Sequence, residues 1–360
     1  MALPSSGRLG VTLASAALAA AILASSSSCE DFRAGPSDAS PDGASGPFAV
    51  VQTGQSSESL LAIWGADDSH VFAVGTNDLH YDFDGVQWYR RDPVVLGRDF
   101  HAVWGRSATD VYAAGEIRAT GQGIISHFDG VSWRDEYLAA TPLYSVWGDG
   151  TVVLAVGPKG MLYGKANGTT AWAMRLGNPL PANPDVPQGS DDPVLWGLAG
   201  SSADDFALAA GLDRVFHWEP PNFVPLDPVV DKTRAFRSIF AVPGSKPTTY
   251  FFGTNYLGLT WLGNSGPPDA DIVNGAMFDL FQDRSAPNAA DLFIHGIWGA
   301  STRVVFVGDQ SHIGLYDPVA NEVTTVPSPI DGISFGGVWG SSMSDLWIVG
   351  SDETILHGAL

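Results

Sequence analysis

An all-β fold, a β-propeller of seven four-stranded blades, is what this sequence predicts, and three observations predict it. A six-residue phrase ending in Trp-Gly, or a degenerate form of it, recurs seven times between Leu60 and Gly340. Each copy is followed by an apolar run closing on glycine, 11 residues on from Trp64 to Gly75 and 13 on from Phe240 to Gly253. The 360 residues include 42 glycines and 24 prolines, a composition of short strands and turns rather than of a helical bundle. Hydrophobic residues at 45% and aromatics at 11% supply a large core and exclude wholesale disorder. A net charge of -21 would set any nucleic acid in a repulsive field, which excludes that partner.

The elements follow in chain order. Residues 1–28 carry Arg8, the alanine-rich apolar run Leu9 to Ala24 and then serines, which is the layout of a secretory signal peptide. The run is short of the roughly twenty apolar residues that span a bilayer. Cys29 is the sole cysteine and follows directly; the segment resembles a bacterial lipoprotein signal, in which the processed N-terminal cysteine carries fatty acyl groups such as palmitate. Ser26 stands where that family has Leu or another aliphatic residue. A solitary cysteine at the export boundary has no disulfide partner, which suits a lipid attachment point. Residues 29–47 continue in Ser, Asp, Gly, Ala and Pro as a tether with little to bury.

Residues 48–360 are the propeller. The first strands of the blades align in columns, the clearest being Leu60 to Gly65, Phe100 to Gly105, Leu143 to Gly148, Ile294 to Gly299 and Phe335 to Gly340, with degenerate copies at Leu195 to Gly200 and Phe236 to Ala241. Four places before the Trp column stands a large apolar residue in every copy. Two places before it the residue is small, and one before it comes Ile, Val or Leu. Trp64 to Trp104 is 40 residues and Phe240 to Trp298 is 58, the size range of one blade. The second strands, such as Val71 to Gly75 and Val304 to Gly308, are runs of β-branched and aromatic residues suited to burial on both faces. Third strands carry His80-Tyr81, His127-Phe128, Leu162-Tyr163, His217-Trp218, Leu315-Tyr316 and Leu356-His357, and the best copies turn through Asp84-Gly85 and Asp129-Gly130 into fourth strands at Trp88 and Trp133. The last copy stops after its third strand. Phe48 to Gln52, an unassigned strand ahead of the first copy, is expected to complete that last blade and cover its edge.

The pattern of Val-Trp-Gly, an aspartate, a strand closing on Val-Gly, then Asp-Gly and Trp resembles repeats in exported bacterial β-propeller proteins and lipoproteins, over residues 48–360. It is distantly similar to the Asp-box repeats of sialidases, but Asp82 to Trp88 and Asp129 to Trp133 lack the serine and the Asp-x-Gly spacing, which speaks against a sialidase. The resemblance implies a fold more firmly than an activity.

His80, His127, His217 and His357 fall in one third-strand column, one per blade, so they are expected to make a hydrogen bond repeated around the ring rather than a metal site. The five tryptophans of the Trp column are expected to pack between blades against the small residue two places before it. Asp68, Asp110 and Asp345 are expected to accept backbone hydrogen bonds at the first hairpin turn. The column three before Trp holds Leu61, His101, Tyr144, Trp196, Arg237, His295 and Gly336 on the innermost strand. Channel lining is the functional reading of His101, Tyr144, Arg237 and His295, with packed core as the alternative. Three inserts, Glu116 to Gly123, Gly177 to Pro193 and Gly263 to Asp291, are expected to emerge on one face. Their polar residues Arg118, Asp185, Asp191, Asp192, Asp269, Asp271, Asp283 and Arg284 complete the candidate binding set.

No nucleophile elbow, His-Glu-x-x-His or phosphate loop occurs, so the catalytic residues are unknown and no cofactor is implied. Calcium needs six or more oxygens that Asp67-Asp68 or Asp204-Asp205 does not supply. The expectation is a monomeric, non-enzymatic lipoprotein of the bacterial cell envelope, held to the membrane by its lipid alone and binding a protein or glycan through the insert-bearing face. The alternative is an extracellular polysaccharide hydrolase or lyase working at the channel mouth. Cys29→Ser is expected to abolish labelling by a fatty-acid analogue and release a folded propeller into the soluble fraction. Mass spectrometry of a mature terminus elsewhere, without lipid, would refute acylation.

Overall fold

The computed structural model describes residues 46–91, 97–176, 193–211, 214–226, 236–245, 248–254, 258–263, 278–279, 292–301, 303–317, 319–320 and 322–360, with the backbone alone at 176, 225–226, 258–263 and 278–279. The signal segment, Cys29 and most of the tether lie outside these residues. The first strand is β1 (Phe48–Gln52). Sheet one is β2 (Leu60–Asp67), β3 (His70–Gly75), β4 (His80–Phe83) and β5 (Trp88–Arg91); sheet two is β6 (Arg98–Ser107), β7 (Asp110–Ile117), β8 (Gln122–Phe128) and β9 (Trp133–Ala139). Sheet three is β10 (Ser145–Gly148), β11 (Val152–Val156), β12 (Leu162–Ala166) and β13 (Ala173–Leu176); sheet four is β14 (Leu195–Ser202), β15 (Asp205–Ala210), β16 (Arg214–Glu219) and β17 (Asn222–Leu226). Sheet five is β18 (Phe236–Ala241), β19 (Thr249–Thr254), β20 (Gly258–Gly263) and β21 (Phe278–Asp279); sheet six is β22 (Ile294–Gly299), β23 (Val304–Gly308), β24 (Ile313–Asp317) and β25 (Glu322–Val326). The last three strands are β26 (Phe335–Ser342), β27 (Asp345–Gly350) and β28 (Thr354–Gly358).

Among the described residues these strands form seven four-stranded antiparallel sheets, the seventh in the order β1-β28-β27-β26. The fold is an all-β propeller. Each innermost strand packs on the next sheet's innermost strand, from β2 through β6, β10, β14, β18 and β22 to β26, which returns to β2. Second strands are buried along their length, as in Val152 to Val156, because sheets cover both their faces.

The packing between sheets is set by glycine. A Cβ built on Gly105 would lie 2.7 Å from the Trp64 ring, one on Gly148 2.9 Å from Trp104, and one on Gly65 2.5 Å from Trp339. Trp339, Trp64 and Trp104 therefore each cover the glycine that follows the next blade's Trp column, and not the small residue two places before it, as the sequence suggested. That small column has its own neighbour: a Cβ on Gly296 would meet the Gly337 Cα at 2.8 Å, and one on Gly197 the Ile239 side chain at 2.7 Å.

The third-strand histidines do repeat a bond. Nε2 of His127, His217 and His357 lies 2.8 Å from Oδ1 of Asp110, Asp205 and Asp345 at the start of the neighbouring second strand. His80 does not belong to the set: it pairs with Val74, while Asp82 stands opposite Phe72 at the equivalent ladder position. Asp110 and Asp345 thus serve side chains, Arg106 and Ser341 as well as the histidines, and not turn amides. Asp68 accepts from the Ser69 hydroxyl, and the turn amide of Ser69 donates to Asp67 instead. Asp84 and Asp129 accept the amides two and three residues on, with Gly85 and Gly130 at positive φ of 90° and 89°.

The chain ends meet in the seventh sheet, with Phe48 opposite Gly358 and Val50 opposite Leu356. Gln52 then donates to the Tyr81 hydroxyl at 3.0 Å and to the Glu353 carbonyl at 3.1 Å. The Glu353 carboxylate is fully buried and receives Ser56 at 2.5 Å, Tyr81, and Arg90 at 3.2 Å, joining the first and last sheets through a charge that water cannot reach. Deleting residues 48–52 should lower the melting temperature by more than ~5 °C, since a sheet edge, the buried Phe48 and the Gln52 bonds are lost together. An unchanged melt in differential scanning calorimetry would show that the strand does not hold the ring.

Candidate functional site

The innermost strands share an irregularity that decides what faces the channel. In the β2–β3 ladder Leu60 pairs with Gly75 and Ala62 with Val74, so Leu61 is an extra residue with no partner in the ladder. The same slip falls at His101, Trp196, Arg237, His295 and Gly336. Tyr144 immediately precedes β10, its amide donating to the Val156 carbonyl at 2.8 Å. A β-bulge re-aims the side chain it carries. All seven residues accordingly line one cavity of about 840 Å³ along the ring axis, together with the Trp column deeper in. His101, Tyr144, Arg237 and His295 are thus brought together as channel-facing residues.

They do not stand apart as separate contacts. Tyr144 stacks on Trp196 with centroids 4.6 Å apart and planes at 23°, and His101 meets Tyr144 edge-on at 5.6 Å. The Arg237 guanidinium lies 4.8 Å from the Trp196 ring centre and 3.7 Å from that of Phe293. An arc of rings and one cation thus runs round the mouth across five sheets. Leu61 and Gly336 occupy the remaining arc.

Behind the arc the charges are paired. Asp309 lies 2.9 Å from His295 Nε2 and accepts the Phe293 amide at 2.9 Å and the Ser334 hydroxyl at 2.5 Å. Burial opposes its ionisation, but these bonds win and hold the carboxyl down at about 2. Desolvation lowers the His101 pKa despite Glu116 at 3.6 Å, so this ring is neutral at pH 7. Desolvation also lowers Arg237, with Asp309 acting against it. Among the described residues no group of three or more His, Cys, Asp or Glu is placed to hold a metal ion.

The insert residues fare differently. Glu116 to Gly123 is a hairpin rather than a loop, because β7 and β8 continue pairing out to Ile117 and Gln122. At its tip Arg118 grips Asp99 with Nε and Nη2, each at 2.6 Å, which fastens the hairpin to β6 and leaves the guanidinium little to offer a ligand. Gly263 to Asp291 is not one insert. β21 divides it as the fourth strand of its sheet, Phe278 opposite Leu259 and Asp279 opposite Gly258, and the rest of it beyond Gly263 lies outside the described residues. Asp185, Asp191, Asp192, Asp269, Asp271, Asp283 and Arg284 lie outside the described residues.

Sequence reasoning passed over Asp99, Glu116, Phe293, Asp309 and Ser334. Each stands one place outside a repeat column: Asp99 and Ser334 precede the first column, while Glu116 and Asp309 follow the closing glycine. That offset was the available signal.

The clamp on His295 makes a pH prediction. A carboxyl whose pKa is depressed on folding adds stability above its unfolded value, near 3.9, and that stability fades as pH falls toward about 2. Asp309→Asn should remove ~1–2 kcal/mol from urea-derived stability at pH 7 and less at pH 2.5, after allowance for partial solvent screening. A loss that is the same at both pH values would show that the ionised carboxylate is not what stabilises.

No family model and no curated protein matches this chain. Solved structures do match in fold. A structure described as YCF48 bound to D1 peptide superposes with a TM-score of 0.63 at 15% identity, covering 87% of this chain and 97% of that one. YCF48 from Cyanidioschyzon merolae gives 0.64 at 15% identity over 87% and 99%. The WD40 β-propeller domain of Doa1 gives 0.61 at 12% identity over 86% and 96%. At such identities the likeness extends to the propeller fold alone.

Proposed function

We propose that this protein is a non-enzymatic scaffold that binds a segment of another protein at the channel mouth, and that it works as a monomer exported to the bacterial cell envelope and tethered by an acyl chain on Cys29. The observation that carries the binding part is the bulge column, which turns His101, Tyr144, Trp196, Arg237 and His295 toward one cavity without using them as core. Two propellers of similar fold point the same way: one is described as holding a peptide, and another is a WD40 domain. The export and anchoring part is supported by the apolar leader and the solitary cysteine ahead of the tether.

Two features weigh for protein over carbohydrate. Sugar rings stack on open aromatic faces, and here the Tyr144, Trp196 and Phe293 faces are engaged with one another and with Arg237. A polysaccharide hydrolase needs a carboxyl kept protonated as general acid. At the mouth, desolvation would favour that, but hydrogen bonds from Arg118 to Asp99 and from His295 and Ser334 to Asp309 hold both carboxyls low.

The test is a peptide display selection on the whole chain, followed by affinity measurement on variants. Tyr144→Ala and His295→Ala should each weaken a selected peptide at least tenfold, and shortening Gly177–Pro193 to a four-residue turn should weaken it while leaving the melt intact. Asp68→Ala at the opposite end should change nothing. Sensitivity of binding to Asp68 with the mouth variants silent would overturn the assignment of the face.

A further inference from the structure

We infer that Arg237 is a receptor for a single carboxylate entering the channel mouth, supplied by the C-terminus or an acidic side chain of a bound peptide; this rests on the peptide-binding reading of the same site. The Arg237 guanidinium lines the cavity at its mouth. Its carbon sits over Phe293 at 3.7 Å and over Trp196 at 4.8 Å, so two aromatic faces fix its plane. Faces satisfy charge but not the five N–H donors. Nε is buried and has no hydrogen-bond partner among the described residues. Asp309, whose charge acts on Arg237, has its oxygens taken by His295, Ser334 and the Phe293 amide.

Arg237 lines the cavity, and a charged donor facing it gains more from an ionised acceptor than from a neutral one. The acceptor should be planar and forked to match the guanidinium. It should also carry one negative charge. Among the described residues that line the cavity Arg237 is the only Arg or Lys, and the chain as a whole carries -21, so a dianion would meet more repulsion than one guanidinium offsets. Carboxylate satisfies each condition. The arc of rings from His101 to Trp196 then lies beside the anchored group, where it would contact the peptide's next residues.

The experiment titrates the full chain, labelled with ¹⁵N-arginine, with N-acetylglycine, its amide, and inorganic phosphate. The Arg237 Nε–H resonance is identified by its loss in Arg237→Lys. It should move saturably with N-acetylglycine, remain still with the amide, and respond at least tenfold more weakly to phosphate. Two blocked peptides then separate the sources, one with a free C-terminus and no acidic side chain, the other amidated and carrying one aspartate; the tighter of them names the source. No saturable movement, equal movement with the amide, or preference for phosphate overturns the inference. Selected peptides that bind equally well as amides with their acids neutralised would also overturn it while leaving the scaffold reading intact. A clear N-acetylglycine response with no peptide bound at all would sink the scaffold reading and keep the carboxylate site. Arg237→Gln, checked for an unchanged melt, should weaken N-acetylglycine binding at least tenfold.

Discussion

The bulge on six of the seven innermost strands is the constraint on which the rest of this molecule depends. Seating an extra residue against the second strand presses the two backbones together at one point, where four sheets carry a closing glycine and the β14 and β18 sheets carry Ala210 and Thr254. A Cβ on Gly75 or Gly115 would lie 1.9 Å from the carbonyl oxygen of Ser59 or Asp99, and one on Gly350 2.6 Å from that of Ser334. No side chain fits such a gap. From this contact follow the glycine ending of those second strands and the turn of the bulge side chains into the channel. The packing of tryptophan on the next blade's glycine then spaces the sheets.

Polar chemistry is arranged around that apolar frame so that each charge is answered close by. His127 shows how. Desolvation disfavours its charged form, yet Glu136 and Asp110 on its two nitrogens outweigh that and raise its pKa. Glu136 also takes Lys165 at 2.6 Å and the Trp172 indole at 2.7 Å, linking the second and third sheets and holding its own pKa at about 2. Asp205 binds His217 and Ser201 in its own sheet and Thr248 and Tyr250 in the next. A chain with an excess of acids keeps its compact form by spending its carboxylates on such bridges between sheets. Some buried donors are nonetheless left without an acceptor, the Nε of Arg237 and of Arg303 and Nη1 of Arg106 among them.

How legible was this in the sequence? The strands were, because the columns repeat: Leu60 to Gly65 and Val71 to Gly75 lie inside β2 and β3, and the third-strand pairs all fall within strands. The channel column was legible for the same reason. What failed was register within degenerate copies. Gly211 and Gly253 look like the closing glycines of their blades, yet Leu195 pairs with Ala210 and Phe236 with Thr254. His80 was misplaced because a histidine two residues before Asp82 shows the right residue type in the wrong ladder position. The partners of the site were missed because they come from residues between columns, where repetition carries no signal and only the folded ring brings Asp309 to His295 and Ser334.

Closure and site are coupled through the least conspicuous member of the column. Gly336 occupies the bulge position of the seventh sheet, and a Cβ there would lie 2.7 Å from the Leu60 carbonyl oxygen and 2.8 Å from the Leu61 Cα, on the first sheet. The seam where the last blade meets the first is therefore too tight for a side chain facing the channel. That same seam carries the buried Glu353 and its bonds to Tyr81, Ser56 and Arg90. Closing the ring thus strips one arc of the mouth of chemistry, and the residues able to recognise a ligand are left on the other arc. There Tyr144 stacks on Trp196, and the Arg237 guanidinium lies against the same ring. The lopsided mouth is a consequence of how the ring shuts, and a ligand entering it meets the aromatic and cationic side because the other side has been used to hold the fold together.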